Sequence, residues 1–103
     1  MGASEKVNIL LVDDQPARLL TYQSVLSELG QNLVCAHSGV EALDKLMREE
    51  FAMVLLDVSM PGMDGFEAAR LIHEHPRFEK TPIIFVTGVH VTDLDRLKGY
   101  KVG

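Results

Sequence analysis

A single cysteine, Cys35, stands in a chain of 103 residues. One thiol excludes an internal disulfide and points to a reducing compartment; its place in an apolar run predicts a buried, inert thiol. No apolar run approaches the length of a membrane span, and no signal-peptide pattern opens the chain. A cytoplasmic location without a membrane partner is therefore expected. Basic residues are in deficit, 10 Lys and Arg against 15 Asp and Glu, for a net charge of −5. That balance argues against nucleic acid or an anionic membrane as a direct partner. Internal repeats, low-complexity tracts and a splitting linker are also lacking. What is present is a hydrophobic share of 47%, too high for a disordered chain and enough for one small domain. Residues 1–6 read as a polar, disordered lead-in, and residues 7–103 as the domain.

Strand and helix signals alternate along the chain. Val7 to Val12 is an apolar strand broken only by Asn8, and it ends in Asp13-Asp14. Pro16 suits a first helical turn, and Leu19, Leu20, Val25, Leu26 and Leu29 keep helical spacing up to a stop at Gly30. Asn32 to Ala36 is a second strand. Ser38-Gly39-Val40-Glu41 reads as a capping box, with Leu43, Leu46 and Met47 on the face that follows. Met53 to Asp57 is the third strand, and a helix from Gly65 to Glu74 turns Phe66, Ala69 and Ile72 inward. Pro76 to Thr81 is a polar loop before a fourth strand, Ile83 to Val86, which ends at Thr87-Gly88. A helix from about Thr92 to Lys98 closes the pattern. This alternation implies an α/β fold with parallel strands and right-handed crossovers.

Asp57 is the centre of the pattern. The apolar run Met53 to Leu56 stops in a carboxylate and enters the turn-rich stretch Val58-Ser59-Met60-Pro61-Gly62-Met63-Asp64-Gly65. Open parallel sheets bind ligands at the carboxyl ends of their strands, where the strand order reverses. A reversal between the first and third strands brings Asp13-Asp14 beside Asp57. Three carboxylates so close need compensation, and a hard cation with oxygen ligands, such as a half-hydrated Mg²⁺, supplies it. The competing reading is that Asp57 starts a turn and that Asp13 or Asp14 caps the first helix.

The Leu11-Val12-Asp13-Asp14 strand end, the Leu56-Asp57 to Asp64-Gly65 loop and Val86-Thr87-Gly88 resemble, in order and spacing, the receiver domain of two-component response regulators. The resemblance covers nearly everything from Val7. It implies a flavodoxin-like doubly wound parallel sheet of strand order 2-1-3-4-5, an order that general accounts of this fold already assign to the family. It also implies that Asp57 accepts a phosphoryl group from a histidine kinase or phosphotransfer domain. Asp14 would be the direct Mg²⁺ ligand, Asp13 would act largely through water, and the Ser59 backbone carbonyl would complete the site. Thr87 is the implied switch hydroxyl, with Gly88 as its small neighbour.

Two departures accompany the resemblance. Gly88 stands where alanine is more usual. The family's fifth strand and last helix, with their lysine and switch aromatic, are expected to be absent, since Lys98, Tyr100 and Lys101 come too early to be those residues. The chain therefore reads as a receiver incomplete at its C-terminus, from a parent that carries an output or kinase domain, a hybrid histidine kinase included. Its bare fourth-strand edge is expected to favour a homodimer, swapping or aggregation. It is read as a signalling domain and not as an enzyme in its own right. The alternatives are a pseudo-receiver that binds without a phosphoryl cycle, and a Mg²⁺-dependent phosphatase with an aspartyl nucleophile. Against the phosphatase, Asp57-Val58-Ser59 lacks the second carboxylate of a D-x-D pattern. His37, His73, His75 and His90 show no metal-ligand spacing, Met60 and Met63 are expected to pack, and Glu49-Glu50 and Asp93-Asp95 read as solvated faces or caps.

Overall fold

The structure, a computed structural model, describes residues 5–86. The expectations for Thr87, Gly88 and the helix after Thr92 lie outside the described residues, as does most of the lead-in. The elements run β1 (Asn8–Val12), α1 (Pro16–Leu26), β2 (Asn32–Ala36), α2 (Gly39–Arg48), β3 (Met53–Asp57), α3 (Gly65–Glu74) and β4 (Ile83–Val86). Short 3-10 turns at Ser27–Leu29 and Pro76–Phe78 follow α1 and α3.

The strands form a parallel sheet in the order β2-β1-β3-β4, the doubly wound, flavodoxin-like arrangement. Val12 pairs with Ala36 on one side and Leu56 on the other, so the ends of β1 and β3 come level. Side chains alternate between the two faces of the sheet. Leu10, Val12, Val54 and Leu56 pack with Ala42 and Leu46 of α2 and with Ala68, Ala69 and Ile72 of α3. Ile9, Leu11 and Leu55 turn the other way, onto Leu19, Tyr22 and Leu26 of α1. The same alternation carries Asp13 and Asp57, two residues beyond Leu11 and Leu55, toward the α1 face.

Three apolar residues assigned inward by spacing are instead exposed: Leu20 at 68%, Met47 at 51% and Phe66 at 62%. Each is a helix neighbour of a residue that is buried, Leu19, Leu46 and Gly65 respectively. A step of one residue turns the helix by about 100°, so only one of each pair can face the sheet. On α3 the phase is set by Gly65, because a Cβ there would lie 2.6 Å from the Val58 Cα and would also overlap the Asp57 carbonyl oxygen. Phe66 then points outward and rests on Phe85, with ring centroids 4.8 Å apart. The loop after α3 is less polar than expected, since Phe78 is buried against the α2–α3 side of the core.

The helix ends follow local chemistry. Ser38 Oγ accepts from the Glu41 amide at 3.0 Å, as a capping box requires, but the reciprocal contact is shifted. Glu41 Oε1 accepts from the His37 amide at 2.8 Å, one residue further back than Ser38. Gly30 ends the α1 segment at a φ of 70°, in the left-handed region where glycine carries no Cβ penalty. Cys35 is half-buried on β2 and not fully buried as its apolar run suggests, and burial pushes its thiol pKa upward.

Candidate functional site

The site lies where β1 and β3 end. Asp13, Asp14 and Asp57 each offer a carboxylate oxygen, and these oxygens lie within 4.8 Å of one another. The Asp13 and Asp57 side chains are all but sealed from solvent, while Asp14 keeps 28% of its surface exposed. Neither aspartate of the pair caps α1 with its side chain. The N-cap is Gln15, which makes no side-chain cap hydrogen bond, and Pro16 begins the helix.

Asp13 is held on both oxygens. Its Oδ1 accepts from the Gln15 amide at 2.9 Å, and its Oδ2 accepts from the Tyr22 hydroxyl at 2.6 Å. Tyr22 is buried on α1, and burial, followed by the bond to Asp13, pushes its phenol pKa well above the usual range. It stays a donor. Asp57 is the opposite case. Neither of its buried oxygens has a hydrogen-bond partner among the described residues, nor does Asp14 Oδ1. The Ser59 amide lies near enough to favour the charged form without closing a hydrogen bond to either Asp57 oxygen.

Burial and then the Asp13 charge raise the Asp57 pKa, against the smaller opposing pulls of the Ser59 amide and Arg18. Arg18, one turn into α1, reaches all three carboxylates. Its Nε is 3.2 Å from Asp13 Oδ2, and one terminal nitrogen lies 3.8 Å from Asp14 Oδ1 and 3.7 Å from Asp57 Oδ2.

The loop after β3 frames this pocket. Met60 is buried in the core with Met63 packed against it, and Gly62 turns the chain at a φ of 83°. Asp64 caps α3 by accepting from the Glu67 amide at 2.8 Å, and the Gly65 amide donates back to Val58 at 3.1 Å. The Asp-Gly step therefore packs closely behind the Asp57 backbone. Ser59 follows on this loop with its side chain exposed, while Thr87 and Gly88 lie outside the described residues.

Sequence reasoning brought Asp13, Asp14 and Asp57 together, but it missed Arg18 and Tyr22. One signal was available. Asp14 and Arg18 are an acid–base pair at i,i+4, and Tyr22 continues the same helical face another four residues on.

A parallel α/β sheet with an acidic crevice at the carboxyl ends of its inner strands defines the class: a flavodoxin-like signalling or ligand-binding module. The comparisons narrow it. The model of the response regulator receiver domain matches residues 9–103. Response regulator Rre1 of Synechocystis is 35% identical over 101 residues, which cover 97% of this chain and 43% of Rre1. The signal transduction histidine-protein kinase BarA of Escherichia coli is 36% identical over 81 residues, 79% of this chain but only 9% of the kinase. Among solved structures, response regulator TrrA of Thermotoga maritima, in complex with Mg²⁺ and BeF, superposes with a TM-score of 0.80 at 28% identity, covering 95% of this chain and 97% of that one. The chain belongs to the response regulator receiver domain family of two-component signalling, and it spans less than half the length of these two sequence relatives.

Proposed function

We propose that this domain is a phospho-accepting receiver, with Asp57 as the acceptor and Asp13, Asp14 and Asp57 as the carboxylates that hold Mg²⁺. The observation that carries the reading is the pair of buried Asp57 oxygens, unpartnered among the described residues and facing two further carboxylates. A buried ionised group without partners is costly, and such groups persist where a ligand completes them. An all-oxygen set of few carboxylates fits a hard, partly hydrated cation. When bound, Mg²⁺ supplies charge neutralisation to the carboxylates and to the incoming phosphoryl oxygens.

The chain's own residues do the rest. An Asp57 oxygen attacks the phosphorus of a phosphohistidine donor. An O–P bond forms as the P–N bond breaks, and the departing imidazole nitrogen keeps the electron pair and takes a proton from solvent. Tyr22 and the Gln15 amide fix Asp13 in place, leaving the neighbouring oxygens free to point into the crevice. The Ser59 carbonyl is the proposed further metal ligand, and Thr87 with Gly88 the proposed switch. The proposed donors are a histidine kinase or a phosphotransfer domain, and the proposed listener is an output or kinase domain of the same parent chain.

A second reading, the pseudo-receiver, is favoured by one observation: the Arg18 guanidinium already stands among the carboxylates. Incubation with acetyl phosphate and Mg²⁺, followed by intact-mass measurement, separates the two. The receiver gains one phosphoryl group, and loses that gain when Mg²⁺ is chelated. An unmodified mass under both conditions supports the pseudo-receiver.

A further inference from the structure

Arg18 places a positive charge in a pocket whose carboxylates suit a divalent ion. Its guanidinium nitrogens lie 3.2–3.8 Å from one oxygen on each of Asp13, Asp14 and Asp57. Mg²⁺ sits about 2.0–2.1 Å from its oxygen ligands and demands near-octahedral geometry. A guanidinium and a divalent ion cannot both occupy the space these three carboxylates enclose, because they would compete for the same oxygens and repel each other.

The fit of Arg18 is electrostatic and not geometric. Its Nε, although 3.2 Å from Asp13 Oδ2, makes no hydrogen bond of acceptable direction with any described residue, and that oxygen already accepts from Tyr22. Among the described residues, Asp14 Oδ1 and both Asp57 oxygens stay unpartnered beside it. Arginine normally holds carboxylates through paired, directed N–H bonds, and here it forms none with these atoms. The side chain is 26% exposed, so solvent lies next to the position it now holds. Its backbone is anchored, since Leu19 and Tyr22 of the same helix are buried in the core. The result is a charge tethered at the pocket, close enough to neutralise it and too loosely bonded to lock it.

We propose, resting on the receiver reading, that Arg18 is a built-in competitor of the metal, a resident cation that Mg²⁺ must displace. The domain then exchanges one cation for another as it becomes competent for phosphorylation. Arg18 weakens Mg²⁺ binding and stabilises the metal-free fold, and by linkage the two effects are two sides of one coupling. Couplings between competing sites commonly amount to about 5–150-fold in affinity.

Isothermal titration of the metal-stripped protein with MgCl₂ tests this, comparing wild type with Arg18→Met, Arg18→Gln and Arg18→Lys. The expected result is Mg²⁺ affinity about tenfold tighter in Arg18→Met and Arg18→Gln, with Arg18→Lys near wild type because it retains the charge. Thermal melts should show the metal-free Tm falling in the two neutral variants while their Mg²⁺-induced shift grows. Should one neutral variant fail to fold, the other carries the comparison. Unchanged or weaker Mg²⁺ binding in the neutral variants, with binding in wild type intact, overturns the proposal and leaves the receiver reading standing. No Mg²⁺ binding in wild type or in any variant overturns both.

Discussion

Between Val58 and Gly65 the chain satisfies its own polar groups, with Asp64 capping α3 and the Gly65 amide returning to the Val58 carbonyl. The pocket on the other side of Asp57 leaves three carboxylate oxygens and an arginine nitrogen buried without hydrogen bonds among the described residues. Both regions belong to the same strand end, yet one minimises its free energy locally and the other does not. Unsatisfied buried groups are rare in folded proteins and concentrate where a ligand is awaited. The loop's contribution is rigidity, which holds Asp57 in place while its oxygens remain unspoken for.

The contrast is broken most severely from the loop side. Gly65→Ala drives a methyl group into the β3 backbone at Asp57 and Val58. A loss of about 3 kcal/mol is expected in urea unfolding, at the upper end of overpacking costs. A loss of a few tenths would mean that the strand end yields freely and does not brace the site.

Tyr22→Phe comes next. It removes the side-chain hydroxyl that donates to Asp13 Oδ2 and extends the pocket's deficit to a further buried oxygen. A loss of about 2 kcal/mol is expected, in the range for hydrogen bonds to charged groups. Equal stability of the two proteins would show that Arg18 compensates Asp13 Oδ2 without the hydroxyl.

Asp57→Asn acts in the opposite direction. The Asp57 pKa is raised in the fold by burial and by Asp13, so its charged form opposes folding at neutral pH. The cost is present above the folded pKa and is relieved as pH falls through it. In chelator, the Asp57→Asn variant should therefore be more stable than wild type by about 1 kcal/mol, the scale of an unsatisfied buried acceptor, and the advantage should vanish on acidification. With Mg²⁺ present the order should reverse, because the ion stabilises wild type by mass action. A destabilised mutant in chelator at neutral pH would contradict the account of the pocket.

The smallest effect is at the start of α2. Glu41 is lowered in pKa, first by the His37 amide bond, so its contribution is present above the ordinary glutamate range and lost as pH falls through the lower, folded value. Its side chain is 37% exposed and screened by solvent. Glu41→Gln should cost no more than about 0.5 kcal/mol at neutral pH, with the deficit gone in acid. A deficit that persists in acid would assign the effect to packing.

The sheet and the acidic triad were legible because strands buried on both faces read as unbroken apolar runs that stop abruptly at a carboxylate. Asn32–Ala36, Met53–Asp57 and Ile83–Val86 emerge with the bounds the sequence suggests. Helix phase was harder. Leu19 and Leu20, or Leu46 and Met47, are equally apolar neighbours, and only packing against the sheet decides which turns inward. Phe66 shares helical spacing with Ala69, but the close approach of Gly65 to the end of β3 rotates it outward. Arg18 and Tyr22 escaped notice because membership of the site depends on how α1 lies across the sheet, a tertiary fact. The pairing of Asp14 with Arg18 was visible, but an i,i+4 pair ordinarily marks no more than a solvated helix face.

The central claim is that Asp57 is the atom-level destination of the phosphoryl group. After incubation with acetyl phosphate and Mg²⁺, borohydride reduction converts an aspartyl phosphate to homoserine, which peptide mass mapping then locates. The account predicts homoserine in place of Asp57 alone, and none in the Asp57→Asn variant or in chelator. Homoserine in place of Asp13, Asp14 or Asp64, or a phosphoryl adduct that persists in the Asp57→Asn variant, would contradict it.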